Sequence, residues 1–250
     1  MKAVTRLDQA LVERGLCASR EQARRAVLAG QVRLNDQVAR KPSDAVRPGD
    51  ALALAAGERY VSRGGYKLEH ALQYFALDVA GAVAVDLGAS TGGFTDCLLQ
   101  HGAARVYAVD VGRGQLHWKL RQEPRVVVLE GCNARHLTPA LLPPPFAGAH
   151  VVTVDCSFIS LRLVLPPAVA LLRPAGKLVA LVKPQFEAGR AEAARGAGVI
   201  RDPAVHARVL AALEALAASL PGVRWRGVTP SPLLGPAGNR EFLALLEKTA

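Results

Sequence analysis

The 250-residue chain lacks a long apolar run. Its longest stretch free of Asp, Glu, Lys and Arg, 136–154, contains Pro139 and the Pro143-Pro144-Pro145 run. No helix of the ~20 apolar residues needed to cross a bilayer can be built from it. A secretory leader is not expected, because Asp8, Glu13 and several arginines occupy the place of an apolar core. Cysteine is scarce. Cys17, Cys97, Cys132 and Cys156 are widely spaced, which excludes a disulfide framework, points to a reduced cytosolic interior and argues against zinc. The six histidines show no H-x-x-x-H or H-E-x-x-H spacing, so no metal site is expected. Aromatic residues make up only 5%, so a nucleic-acid interface would rest on charge and shape more than on stacking. Internal repeats and low-complexity tracts are absent. Acidic residues are outnumbered, 21 against 31 basic ones, for a net charge of +10. That excess favours a polyanionic partner, either nucleic acid or an anionic membrane surface.

What is present is an ordinary globular composition, half apolar, on a chain long enough for a large domain plus a small one. The division falls near residue 60. Residues 1–60 hold eleven basic and seven acidic side chains. Leu7, Ala10, Leu11 and Arg14 begin a helical period that Gly15 stops. Ser19 then caps a second helix, with Gln22 completing a capping-box pattern. Ala23, Ala26 and Val27 form the apolar face of that helix, Arg20, Arg24 and Arg25 surround it, and Gly30 ends it. Val32 and Leu34 alternate like a short strand, and Asn35-Asp36 turns it. The arginines alone read equally well as a solvated helix face. Arg6-Leu7-Asp8, Ser19-Arg20 with Ala23-Arg24, and Gly30-x-Val32-x-Leu34-Asn35 together resemble the S4 RNA-binding domain. The resemblance implies that Arg6, Arg20, Arg24 and Lys41 contact structured RNA through phosphates and shape. Residues 55–66 are small and glycine-rich and read as a joint. The expected organisation is a small α+β RNA-binding domain over 1–60, a linker over 61–66 and a larger domain over 67–250.

That larger part alternates helix and apolar strand. Helices are predicted over 67–77, 95–100, 166–172 and 203–220, and strands over 82–87, 105–109, 126–129, 151–154, 177–182, 223–228 and 241–246. The expected fold is α/β: a Rossmann-like, mostly parallel sheet covered on both faces, with the last strand antiparallel. Ligands in such sheets bind beyond the carboxyl ends of the strands.

Chemistry-bearing residues gather at those ends. The first strand runs into Asp86-Leu87-Gly88-Ala89-Ser90-Thr91-Gly92-Gly93-Phe94, which is not the dinucleotide fingerprint G-x-G-x-x-G. It resembles motif I of S-adenosylmethionine-dependent methyltransferases. Asp110 ends the second strand, where a carboxylate can accept both hydroxyls of a ribose. Asn133 follows the third, where an amide can meet an adenine. The expected cofactor-binding residues are Asp86, Gly88, Ser90, Gly92, Gly93, Phe94, Asp110 and Asn133.

Asp155 and Lys183 follow the fourth and fifth strands, Glu241 begins the last, and Lys67 begins the helix before the first. Each alone reads as a cap or a solvated end. Together they suit deprotonation of a poor nucleophile such as a ribose 2′-hydroxyl. A neutral lysine can accept its proton, a second cation can sit nearby, and two carboxylates can orient the amines. Lys67, Asp155, Lys183 and Glu241 match the K-D-K-E tetrad of RrmJ/FtsJ-like ribose 2′-O-methyltransferases. Ser62-Arg63-Gly64-Gly65-x-Lys67-Leu68, DLGASTGGFTD, SFISL, LVKPQFEAG, GVIRDP and Gly238-Asn239-x-Glu241-Phe242 look like the TlyA (hemolysin A) family, across almost the whole chain. Cys132 departs from the threonine often found there, and Cys156 from a small or hydroxylated residue.

The resemblance implies S-adenosylmethionine as cofactor, Lys183 as general base, and 2′-O-methylation of cytidine in ribosomal RNA or a ribosomal subunit. Relatives that modify both subunits tend to carry a carboxyl-terminal extension beyond the last strand. The expectation is therefore 23S RNA first and 16S RNA second, without membrane insertion. The runner-up is a non-catalytic RNA-binding or ribosome-assembly protein, which would have no chemical need for the tetrad. A membrane-active toxin lacks an inserting segment, and the DLGASTGGF loop argues against a nicotinamide dehydrogenase.

Overall fold

A computed structural model of the chain describes residues 4–54, 59–189, 192 and 196–249. Part of the expected joint, 55–58, lies outside the described residues. Two compact units divide the chain between Arg59 and Tyr60.

The first unit is small and α+β. Strand β1 (Thr5–Arg6) pairs antiparallel with β4 (Ala45–Val46). Between them lie helices α1 (Leu7–Glu13) and α2 (Arg20–Leu28) and the β2–β3 hairpin (Val32–Leu34 and Gln37–Val38). Strand β5 (Leu52–Leu54) completes a three-stranded sheet against β2. Asn35 and Asp36 both take positive φ, 49° and 64°, the geometry of a tight two-residue hairpin turn. Ser19 accepts from the Gln22 amide, and the Gln22 side chain accepts in return from the Ala18 amide, so the start of α2 is fixed from both sides. Leu7, Leu11, Ala23, Val27, Val32 and Val46 form its core.

The second unit is a seven-stranded sheet in the order β11-β12-β10-β9-β6-β7-β8. The strands are β6 (Val83–Leu87), β7 (Arg105–Asp110), β8 (Val126–Glu130), β9 (Ala149–Val154), β10 (Leu172–Val182), β11 (Val223–Pro230) and β12 (Phe242–Lys248). Only β12 runs against its neighbours β10 and β11, as the sequence predicts. Helices α3 (Gly64–Tyr74) and α4 (Gly93–Gln100) contribute to one apolar cluster on the sheet. Helices α6 (Leu161–Ala170) and α8 (Pro203–Ser219) contribute to another. Short helices α5 (Trp118–Arg121) and α7 (Pro184–Glu187) follow β7 and β10. Strand order reverses between β6 and β9, which opens a crevice at their carboxyl ends.

Several boundaries differ from expectation for local reasons. Helix α3 begins at Gly64, inside the segment expected as a linker, and Tyr60 is already buried in the second unit's core. A Cβ at Gly65 would stand 2.2 Å from the Tyr60 ring, so glycine is what lets α3 start there. Helix α6 begins at Leu161 rather than at the prolines, because the Ser160 side chain caps the Arg162 amide. Pro166 and Pro167 then lie inside the helix. Their missing N–H groups cost the bonds to the Arg162 and Leu163 carbonyls, and both of those residues are exposed to water. Strand β10 starts at Leu172, with an irregularity in its pairing before Lys177. Helix α5 was not expected at all, since four residues are too few for a period.

Candidate active site

Strand ends and two loops bring the expected catalytic residues together in two pairs. Lys183 follows β10, and its Nζ lies 2.6 Å from Asp155 Oδ1, just past β9. Lys67, one turn into α3, places Nζ 2.5 Å from Glu241 Oε2 at the start of β12. Three of the four are nearly sealed: Lys67 is 7% exposed, Lys183 8% and Glu241 1%. Charges this deep persist only when paired, and each lysine has its carboxylate. Glu241 is set by the turn before it. The buried Asn239 side chain donates to the Gly198 carbonyl and accepts from the Ile200 amide, tying that turn to the segment ahead of α8. Gly235 approaches so closely that a Cβ there would stand 2.5 Å from Glu241 Oε1.

Two adjoining cavities open here. The larger, about 690 Å³, is lined by Gly88, Ser90, Asp110, Asn133, Asp155 and Phe158 among others. The smaller, about 360 Å³, is lined by Lys67, Asp155, Lys183 and Glu241 together with Ser90, Gly93 and Phe94. Gly88, Ser90, Asp155 and Ser157 belong to both walls, so the lysine–carboxylate group borders the larger cavity directly. Gly88 has φ +83°, and a Cβ on it would lie 2.7 Å from the Asp155 carbonyl oxygen. Only glycine lets β6 and β9 end this close.

Most of the expected cofactor residues line these cavities; two do not. Asp110 accepts from the backbone amides of Ser90 and Gly112, both at 2.7 Å, which fixes its carboxylate at the wall. The Asn133 oxygen caps a short turn by accepting from the Arg135 amide, leaving its amide nitrogen for a ligand. Asp86, by contrast, is fully buried. It accepts from Thr95 Oγ1 at 2.7 Å and Thr153 Oγ1 at 2.9 Å, and lines neither cavity. Burial raises its carboxyl to about 6. Gly92 also faces away: a Cβ there would stand 2.2 Å from Leu120, so it serves the packing of α4 against α5.

Two residues at the site escape a reading of the sequence. Phe158 is 92% exposed on the wall of the larger cavity, its ring 5.2 Å from that of Phe186. Its φ of 63° is uncommon for a bulky residue. Ser157 accepts from Lys183 Nζ at 2.8 Å. Both lie in the family-like SFISL segment, but the resemblance assigns no residue of it a role, and a polar–aromatic step between a strand end and a cap does not reveal one. Cys156, between Asp155 and Ser157, turns toward the Leu87 carbonyl, and burial pushes its thiol up to about 12.

In the first unit, Arg6 and Arg20 converge on one carboxylate. Asp8 is 1% exposed and accepts from Arg6 Nε and Arg20 Nη2, both at 3.1 Å, while the two arginine side chains remain half exposed. The Arg6 hydrogen bond, reinforced by Arg20, holds Asp8 below the usual carboxylate range. Arg24 lies one turn beyond Arg20 on α2 and is exposed. The exposed Lys41 precedes Pro42, whose carbonyl accepts from the Asp8 amide.

Comparison with known proteins is consistent with both units. Residues 60–248 match the FtsJ-like methyltransferase model, and residues 5–52 match the S4 domain. The chain belongs to the TlyA (hemolysin A) family of FtsJ-like methyltransferases. A Mycobacterium tuberculosis member, the 16S/23S rRNA (cytidine-2′-O)-methyltransferase TlyA, is 48% identical over 96% of this chain and 89% of that protein. Hemolysin A of Brachyspira hyodysenteriae is 38% identical over 96% of this chain and 98% of its own length. A solved structure from Streptococcus thermophilus, 46% identical, covers 98% of this chain and 89% of that one with a TM-score of 0.73. Membership fits the family's S4-plus-methyltransferase plan, and among the described residues no helix is long and apolar enough to cross a membrane.

Proposed function

We propose that the chain transfers the methyl group of S-adenosylmethionine to the 2′-hydroxyl of a cytidine in ribosomal RNA, with Lys183 as general base. The observation that carries this reading is the Lys183–Asp155 pair, in which Lys183 lines the smaller cavity and Asp155 the wall common to both. The larger cavity suits a nucleoside donor. Asp110 would take the ribose hydroxyls and the Asn133 amide the adenine edge, while Gly88, Ser90, Gly93 and Phe94 line the path toward the tetrad. S-adenosylmethionine supplies a methyl group on a positively charged sulfur, already activated for transfer. The protein's task is then to deprotonate and aim the nucleophile. Neutral Lys183 takes the 2′-hydroxyl proton on Nζ, Asp155 holds that amine, and Lys67 sets a positive charge beside the developing oxyanion. Glu241 keeps Lys67 in place. Phe158 offers an exposed aromatic face on the wall of the larger cavity. Arg6, Arg20, Arg24 and Lys41 hold the RNA by its phosphates.

The named activity of the Mycobacterium tuberculosis relative supports cytidine and leaves both 16S and 23S RNA as substrates to test. Transfer of labelled methyl to isolated subunits and to free ribosomal RNA, followed by nuclease digestion, tests the proposal. Label recovered as 2′-O-methylcytidine is the expected result. A protein that binds donor and RNA yet labels neither RNA would return the assignment to a non-catalytic ribosome-assembly role.

A further inference from the structure

We propose that Ser157 is a positioning residue for the reaction: its hydroxyl fixes the direction in which the Lys183 amine faces the cleft. The inference rests on the reading of Lys183 as general base. An amine nitrogen has four tetrahedral positions, one of which is bonded to the side chain. At Lys183, Asp155 Oδ1 at 2.6 Å and Ser157 Oγ at 2.8 Å are the acceptors of two of the other three. In the neutral amine those two carry its hydrogens, and the remaining position is the lone pair. With Asp155 alone the amine would turn about its Cε–Nζ bond and aim that lone pair in several directions. A second fixed acceptor removes the rotation, so one direction remains for the proton of the 2′-hydroxyl.

The acceptor is itself held in place. Residues 155–161 are pinned at both ends. The Asp155 amide donates to the Leu87 carbonyl at 2.9 Å. At the far end, Glu187 accepts from Ser160 Oγ at 2.6 Å and from the Leu161 amide at 2.7 Å. Lys183 caps the short helix α7 and Glu187 ends it, so the loop after β9 is joined to the segment after β10 by two rungs. Ser157 and Asp155 alternate with the inward-turned Cys156, which puts both acceptors on the side of Lys183. Ser157 also lines both cavities, so the lysine is oriented where donor and acceptor would meet.

The test uses the full chain with Ser157→Ala and Ser157→Thr. Single-turnover methyl transfer, RNA affinity, S-adenosylmethionine affinity and melting temperature are measured for each. Ser157→Ala is expected to lower the transfer rate about ten- to a hundredfold, the scale of a misaimed reacting group. Both affinities and the melting temperature should stay at parental values, and Ser157→Thr should restore most of the rate. Parental turnover in Ser157→Ala overturns the proposal. Equally contrary would be a matching loss of donor affinity, or a Ser157→Thr variant as slow as Ser157→Ala. Lys183→Ala separates the two layers. If it retains turnover, the base assignment falls and the Ser157 role with it. If it is inactive while Ser157→Ala is normal, the role of Ser157 alone is rejected.

Discussion

Both units join cations to carboxylates, but only one of them buries the cations. Around Asp8 the carboxylate is sealed and the two guanidinium groups reach outward, 51% and 58% exposed. Around the tetrad the lysines are sealed as well, 9% and 10% exposed at their side chains. An outward cation on an inward anchor can meet phosphate without moving and contributes charge. An inward lysine in a dry wall contributes instead a proton site, as proposed for Lys183, or a local field, as proposed for Lys67. The difference teaches that burial, more than residue type, separates holding the RNA from acting on it.

Removing the carboxylate in each region gives the largest contrast. Glu241→Ala leaves Lys67 without its partner in a buried wall and should cost about 3–5 kcal/mol of stability. Asp8→Ala leaves two arginines that still reach water and should cost about 1–2 kcal/mol, with weaker RNA binding as its main effect. Denaturant unfolding of the two variants checks this; equal costs would erase the distinction. Next in size is Arg20→Glu, which should weaken RNA binding about ten- to a hundredfold. It should also lower the slope of affinity against salt by about one, while donor binding stays unchanged. Titrations at several salt concentrations read both.

The comparison can also be sharpened near the donor cavity, between Asp110, which lines it, and Asp86, which does not. Asp110→Ala should weaken S-adenosylmethionine binding severalfold or more, whereas Asp86→Asn should leave it near parental, as calorimetry would show. Asp86 has a different consequence. With its carboxyl raised from 3.8 to about 6, the folded chain keeps a proton that the unfolded chain has already released. Its contribution to stability is therefore fully present below about pH 4 and lost as pH rises to about 6, a change of about 3 kcal/mol. Asp86→Asn cannot titrate, so its melting temperature relative to the parent should climb across that interval. A constant difference would contradict the buried carboxyl.

The strand ends were legible because apolar runs stop at charged residues. Asp110, Asp155 and Lys183 lie where those stops put them, and the antiparallel β12 brings Glu241 to the same edge. Which way a side chain turns after its strand ends was not legible. Asp86 and Asp110 read alike in sequence, yet Asp86 faces Thr95 and Thr153 while Asp110 faces a cavity, because the pleat decides the side. Asp8 reads as an ordinary first-turn acid until the fold of α1 against α2 brings Arg20 to it. Ser157 and Phe158 depend on a loop pinned by Glu187, thirty residues distant from Ser157, a tie that no local pattern encodes. The same limit explains α6: proline marks a helix start only when no better cap precedes it, and Ser160 does.

The most direct test compares Arg20→Glu and Lys183→Ala in single-turnover methyl transfer at saturating RNA, with RNA affinity measured alongside. Arg20→Glu should need far more RNA and then transfer at close to the parental rate. Lys183→Ala should bind RNA and donor as the parent does and transfer a hundredfold or more slowly, the scale of a lost general base. Slow transfer by saturated Arg20→Glu, or parental transfer by Lys183→Ala, would contradict the division between outward arginines that hold and inward lysines that react.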